Sequence, residues 1–240
     1  MEPDVFAKMG RVEQRHWWFC ARRKILADQI EQLALSDNAR LLEVGCGTGG
    51  NLSMLSRFGK VVAVEPDNAA RLRAHQQSGL EILSGSLPYQ LPKAAYGADL
   101  AVALDVIEHV DDDRAAIGAI SQCLRPGGRF LATVPAYQWM WSDHDVAHHH
   151  KRRYRRSGFT QLFMDAGLTI RKSTYFNTFL FPPIATARLL GWAVDGEAVP
   201  SAPLNGVLQA IFSAERLFLR DKSLPFGVSI LVIAERPLAV

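Results

Sequence analysis

With 240 residues, 48% of them hydrophobic and only 18 glycines and 12 prolines, the chain has a globular rather than a disordered or fibrous composition, and its length suits one α/β domain with an insertion. Its 27 basic and 24 acidic residues leave a net charge of +3, too small by itself to mark a nucleic-acid binder, and no run of about 20 apolar residues offers a membrane span. Cys20, Cys46 and Cys123 show neither pairing nor metal-ligand spacing, and the first residues lack the charged start and apolar core of a signal peptide, so a cytoplasmic protein with reduced thiols is expected.

Residues 11–35 place Trp17, Trp18, Ile25, Leu26, Ile30 and Leu33 at an approximate 3.6 period beside Arg22, Arg23 and Lys24, which predicts a helix within an N-terminal cap, 1–38. A strand–helix alternation follows. Strands are expected at 41–44, 61–64, 80–83, 99–104 and 129–134, separated by helices at 51–58, 68–78 and 114–124 and a Pro-bearing loop at 87–93. A helix at 157–166 and a strand at 168–175 complete a core of 39–176. Residues 177–225 read as an apolar helical insertion: Phe179, Leu180, Phe181, Ile184, Leu189, Leu190 and Trp192 precede a Gly/Pro/Ser-rich break, then Val207, Ile211, Ala214 and Phe218 form a helical stripe. The last segment, 226–240, holds a final strand at 228–234. The expected fold is α/β and Rossmann-like: a seven-stranded, mostly parallel sheet with helices on both faces.

Leu42-Glu43-Val44-Gly45-Cys46-Gly47-Thr48-Gly49-Gly50 joins a strand to a helix through a glycine-rich turn that lets backbone approach a nucleotide-like ligand. Gly45, Gly47 and Gly50 also satisfy the dinucleotide fingerprint, with Glu65 about 20 residues on, so the turn alone admits two cofactors. Glu43 separates them: a carboxylate there would repel a pyrophosphate but suits a ligand with a cationic amino-acid group. Two further stretches stand at strand ends, Leu104-Asp105-Val106-Ile107-Glu108-His109-Val110 and Leu124-Arg125-Pro126-Gly127-Gly128-Arg129-Phe130. With the glycine turn and Val62-Ala63-Val64-Glu65-Pro66-Asp67, this series resembles that of class I S-adenosylmethionine-dependent methyltransferases. Glu13-x-x-His16-Trp17-Trp18-Phe19-x-x-Arg22-Arg23, the block His144-Asp145 with His150-Lys151-Arg152-Arg153-Tyr154, and the ending Leu224-Pro225-Phe226-Gly227-Val228-Ser229 resemble a bacterial small-molecule branch of the type 11/type 23 methyltransferases.

The resemblance implies S-adenosyl-L-methionine as cofactor and S-adenosyl-L-homocysteine as product. Glu65 would fork to the ribose hydroxyls, and Gly45, Cys46, Gly47 and Gly49 would contact the methionine part, with Glu43 near its ammonium or ordering the turn. Pro66 follows Glu65. Where relatives carry an acidic adenine ligand, this chain reads Ser84-Gly85-Ser86-Leu87, so Ser86 and Leu87 are the adenine candidates. Asp105 and Val106 are expected beneath the reactive end.

Methyl transfer needs a base only for a protonated acceptor, and His109, His144 and His150 are the candidates. An oxygen nucleophile on a small molecule is expected. His16 and Trp17 of the cap, with Arg152, Arg153 and Tyr154, are candidate acceptor contacts; five of the six residues 151–156 are basic, and guanidinium forks match phosphate or carboxylate. Quinone O-methyltransferases of similar sequence associate a divalent metal with the group corresponding to Asp105, Glu108 and His109, so these residues could do likewise, although a metal is not the expectation. An anionic or lipid-linked acceptor, peripheral membrane contact through the apolar insertion, and a monomer or homodimer fit the pattern, whereas a nucleic-acid substrate does not. Competing readings are an NAD-dependent oxidoreductase and a non-catalytic interaction subunit.

Overall fold

The computed structural model describes residues 10, 12–190 and 198–238; Trp192 and the extreme chain ends assigned to the cap and the last segment lie outside them. Seven strands, β1 (Arg40–Val44), β2 (Lys60–Val64), β3 (Ile82–Leu83), β4 (Ala98–Leu104), β5 (Leu124–Pro135), β6 (Thr169–Phe176) and β7 (Ser229–Glu235), form one sheet in the order β3-β2-β1-β4-β5-β7-β6. All neighbours are parallel except β7, which runs antiparallel between β5 and β6. The Rossmann-like sheet expected from the alternation is therefore present.

Strand period 2 divides the core. Leu42, Val44, Ala101, Ala103, Phe130 and Ala132 pack on one face with Ile117 and Ile120 of the helix Asp113–Cys123 and Phe159 and Phe163 of the helix Arg156–Asp165. Leu41, Leu100, Val102 and Leu131 pack on the other face with Ala21, Ile25, Leu26 and Ile30 of α1 (Trp17–Glu31) and Phe212 and Leu219 of a long helix, Ala202–Leu219. That long helix belongs to the apolar segment and completes the layer begun by α1. Asp28 of α1 pairs with Arg220 at 2.5 Å, Asn205 accepts the Trp17 N–H at 2.8 Å, and the Trp17 and Phe212 rings meet edge to face.

The structure departs from the expected elements at several boundaries. The helix after the glycine turn is only Leu52–Leu55, and β3 is two residues long. Strand β5 starts at Leu124, which pairs with Ala98 of β4, and Gly127 and Gly128 then exchange backbone hydrogen bonds with Arg236. An additional helix, Asp143–Ala147, occurs where only a loop is expected; it begins with a capping box in which Ser142 and Asp145 satisfy each other's backbone donors. Another short helix, Phe181–Leu189, opens the apolar segment. Among the described residues no helix is long and apolar enough to cross a membrane.

Glu215 is fully buried in the long helix, where Oε1 accepts the Phe179 N–H at 2.7 Å while Oε2 has no hydrogen bond among the described residues. Burial pushes its carboxyl up to about 7, only partly offset by the backbone donors of Phe179, Thr178 and Asn177. The folded state therefore holds this proton more tightly than the unfolded chain, and stability falls as pH rises from about 4.5 through about 7. Glu215→Gln should remove that decline: between pH 4.5 and 8, denaturant unfolding should show the wild type losing about 2–3 kcal/mol relative to the variant.

Candidate functional site

A cavity of about 760 Å³ opens at the carboxyl ends of β1, β2, β4 and β5, and the start of β7 and the segment ahead of α1 complete its walls. Its volume lies in the range of small-ligand sites, roughly 300–1,000 Å³.

One end is built by the glycine turn. Gly45 and Cys46 both donate to the Val64 carbonyl, folding the backbone back over β2. Gly45 sits at φ 70°, and a Cβ there would lie 2.7 Å from Val106; Gly47 sits at φ 54°, with nothing within 4 Å of a built Cβ, so its backbone faces open space. Glu65, 5% exposed, accepts the N–H groups of Gly47 at 2.8 Å and Asp67 at 3.1 Å. Burial raises its pKa and those donors oppose the rise. Each carboxylate oxygen keeps a second lone pair for a hydroxyl donor, as a ribose fork requires. Cys46, Pro66, Ser86 and Leu87 line the same end, although the Ser86 hydroxyl donates to Gln90 at 2.9 Å.

At the centre, Asp105 follows β4 at φ 58° and is held from two sides. Arg22 reaches it at 2.9 Å, Thr133 of β5 donates to it at 2.9 Å, and Arg22 also donates to Thr133 at 2.8 Å. The guanidinium, 4% exposed, lies over the Trp18 ring. Val106 lines the cavity beside Asp105.

Beyond this triangle stand four imidazoles. The rings of His109 and His150 are 4.7 Å apart, those of His144 and His148 are 4.1 Å apart, and all four line the cavity. Asp145 organises them. Fully buried, it accepts from His150 Nδ1 at 2.8 Å, from two Arg153 nitrogens at 2.8 and 2.9 Å, and from the Ser142 N–H. Burial would raise its carboxyl, but the hydrogen bonds from His150 and Arg153 prevail and hold it below the usual range. Burial, reinforced by the neighbouring imidazoles, lowers His109 and His144 to about 4, so both are neutral at pH 7.

Glu108 is fully buried with neither carboxylate oxygen hydrogen-bonded among the described residues, and burial followed by the nearby Asp105 raises its pKa. Glu108, His109 and His150 each bring one ligand-type atom within 4.8 Å of the others. One carboxylate and two imidazoles form a donor set suited to a divalent transition metal. Its membership differs from the group implied by resemblance, since Asp105 is engaged by Arg22 and Thr133 and His150 stands in its place.

A methyltransferase domain family model (Methyltransf_23) matches residues 18–173, more than half of the chain. The chain belongs to this methyltransferase family. The ubiquinone biosynthesis O-methyltransferase of Aeromonas salmonicida is 30% identical over 182 residues, 65% of this chain and 72% of the relative. The chain spans only 41–62% of the length of the first relatives it matches. Among solved structures, the chain bound to the Trm112 methyltransferase activator of Haloferax volcanii superposes with a TM-score of 0.63 at 17% identity, covering 99% of this chain and 96% of that one. A Haemonchus contortus phosphoethanolamine N-methyltransferase in complex with S-adenosyl-L-methionine superposes at 0.56 with 17% identity, covering 89% and 52%. The family match and the sheet order agree on a methyltransferase domain with the Rossmann-like fold.

Within the methyltransferase the structure brings Gly45, Cys46, Gly47, Glu65, Pro66, Ser86, Leu87, Asp105, Val106, His16, Trp17, His109, His144, His150 and Arg153 to the cavity, and sets four other candidates apart. Glu43 shares a strand face with Leu41 and points beneath the turn, where it accepts from Asn51 at 3.1 Å; burial pushes its pKa up to about 7. Asn51, not Glu43, lines the cavity. Gly49 at φ 89° packs against Ala74 instead. Arg152 turns to Asp113 and the Asp111 carbonyl, and the Tyr154 hydroxyl donates to Asp113, so both point away. Arg153 reaches the wall with its guanidinium already occupied by Asp145 and the Ala136 carbonyl. Sequence reading quoted Glu13 in a motif without giving it a role, although its carboxylate receives the Thr48 hydroxyl at 3.0 Å, and it passed over Asn177, Arg188 and Thr133. A lone arginine in an apolar stretch is the one signal that could have singled out Arg188.

Arg22→Met should strand Asp105 and cost about 2–4 kcal/mol in denaturant unfolding, the lower part of the range for breaking a buried pair because Asp105 is partly exposed. Because an amide accepts through only one atom, Glu65→Gln should leave the Gly47 or Asp67 N–H unpaired at a cost of about 1–3 kcal/mol in denaturant unfolding, and should weaken S-adenosylhomocysteine binding about 10- to 100-fold by calorimetry.

Proposed function

We propose that this methyltransferase moves the methyl group of S-adenosylmethionine to an oxygen of a small-molecule acceptor, with His150 as general base. The observation that carries this reading is the chain Arg153–Asp145–His150 at the cavity wall. With Asp145 ionised, His150 Nδ1 carries the proton and donates it, which leaves Nε2 as the lone-pair nitrogen. The acceptor hydroxyl would give its proton to Nε2 as its oxygen forms a bond to the methyl carbon. The carbon–sulfur bond breaks in line, and its electron pair leaves a neutral thioether, S-adenosylhomocysteine. The protein's main contribution is near-attack alignment in a space shielded from water.

An oxygen acceptor agrees with the name of the Aeromonas salmonicida relative. His109 and His144, held neutral by burial, serve this reading as walls that keep the acceptor beside His150. A cytoplasmic setting accords with the free thiols of Cys20, Cys46 and Cys123.

The unpartnered oxygens of Glu108 favour a second reading, in which Glu108, His109 and His150 hold a divalent cation that makes the acceptor hydroxyl more acidic. Chelation separates the two. On the base reading, His150→Ala and Asp145→Asn should lower kcat about 100-fold or more and about 10-fold respectively, with S-adenosylhomocysteine affinity unchanged, while exhaustive treatment with EDTA leaves turnover intact. If His150→Ala and His144→Ala both keep full turnover, the histidine-base assignment fails.

A further inference from the structure

The wall of the cavity remote from Glu65 carries polar groups whose partners are missing. Asn177, between β6 and the helix Phe181–Leu189, is fully buried at φ 56° and lines the cavity, yet both its amide oxygen and its amide nitrogen lack a hydrogen bond among the described residues. A buried amide left unsatisfied on both sides costs several kcal/mol, so it marks a place where a polar ligand belongs. Its backbone is held from behind, because Glu215 accepts the N–H of Phe179 two residues on.

Arg188 lines the same cavity from the helix Phe181–Leu189, with Ile184 one turn earlier on the same face. Its Nε is buried without a partner, and the guanidinium forms no ion pair among the described residues. The charges that reach it are Arg153, Asp145 and Asp143, but Asp145 is consumed by His150 and Arg153, and neither acid lies within ion-pair distance. Every other arginine discussed around the site is already committed: Arg22 to Asp105, Arg152 to Asp113 and Arg153 to Asp145. A half-buried guanidinium with five donors and no acceptor, beside an unsatisfied amide and an apolar Ile184, is complementary to an oxyanion attached to an apolar body.

We infer that the methyl acceptor carries an oxyanion, a carboxylate or a phosphate ester, bound by Arg188 and oriented by Asn177. The inference rests on the methyl-transfer reading of the cavity and assigns the substrate class of that site. It moves the anion contact from Arg152 and Arg153, where the sequence pointed, to a helix of the apolar segment. The reacting hydroxyl then faces His150 and the anion faces Arg188.

The test uses the full chain saturated with S-adenosylhomocysteine and titrated calorimetrically with benzoate, phenyl phosphate and benzyl alcohol. Benzoate or phenyl phosphate should bind about 10- to 100-fold more tightly than uncharged benzyl alcohol, and whichever of the two is stronger identifies the source of the oxyanion. Arg188→Gln should abolish that preference without changing S-adenosylhomocysteine affinity, and Arg188→Lys should retain part of it, because the charge survives without the fork. The inference is overturned if neither anion binds more tightly than the alcohol, or if Arg188→Gln leaves anion affinity as it was. These results separate from failure of the His150-base reading, which shows as unchanged turnover in His150→Ala whatever the anion binding.

Discussion

The buried triangle of Arg22, Asp105 and Thr133 is the constraint on which the rest of the site depends. It ties α1 to the ends of β4 and β5 with contacts of 2.8–2.9 Å, at a depth where an unpaired charge would be strongly destabilising. Because Arg22 is fixed there, the residues at and before the start of α1 are drawn across the edge of the sheet, and Glu13, His16, Trp17 and Trp18 become a wall of the cavity. Asp105 in turn adopts a positive φ just after its strand, which places Val106 against the glycine turn. One ion pair thus couples the helical layer, the turn and the midpoint of the cavity.

The sheet order explains why the two ends of that cavity differ. Parallel strands β1, β2 and β4 bring their carboxyl ends together, so backbone donors and Glu65 gather at one end. Across β5 the reversed strand β7 contributes its start, and Val228 and Ser229 meet residues of the segment after β6. The second end is consequently made of side chains from distant parts of the sequence: His109, His144, His148, His150, Asn177 and Arg188. Asp145 organises this end by using all its acceptor capacity inside the protein, fixing one imidazole and removing Arg153 from ligand binding.

Membership of the methyltransferase family and the geometry reinforce one another without being the same statement. Structures at 17% identity share the fold, and fold alone says little about an acceptor. What distinguishes this chain lies where its polar atoms are committed and where they are not. Arg152 and Tyr154, conspicuous in the basic run, are satisfied by Asp113, while Arg188, inconspicuous in an apolar stretch, forms no ion pair among the described residues.

The sequence by itself determined the class of fold and the cofactor. The fold rests on local physics, because strand and helix periodicities report burial of one face; the cofactor rests on the family resemblance of the whole motif series, since the glycine turn with Glu65 alone admits two. Local signals also reached part of the cavity wall, since His16, Asp105, His109 and His150 lie in the motifs at or beside the strand ends. Only the tertiary structure decided which charges remain available. Glu43 and Glu65 look equivalent in the chain, yet strand alternation turns one beneath the turn and leaves the other at the cavity. Arg153 and Arg188 are likewise both arginines near a proposed acceptor, and what separates them is the presence or absence of a buried carboxylate at 2.8 Å. Pairing between residues far apart in sequence is a property of packing, because the free energy of a buried charge is set by what lies within a few ångströms of it and not by what adjoins it along the chain.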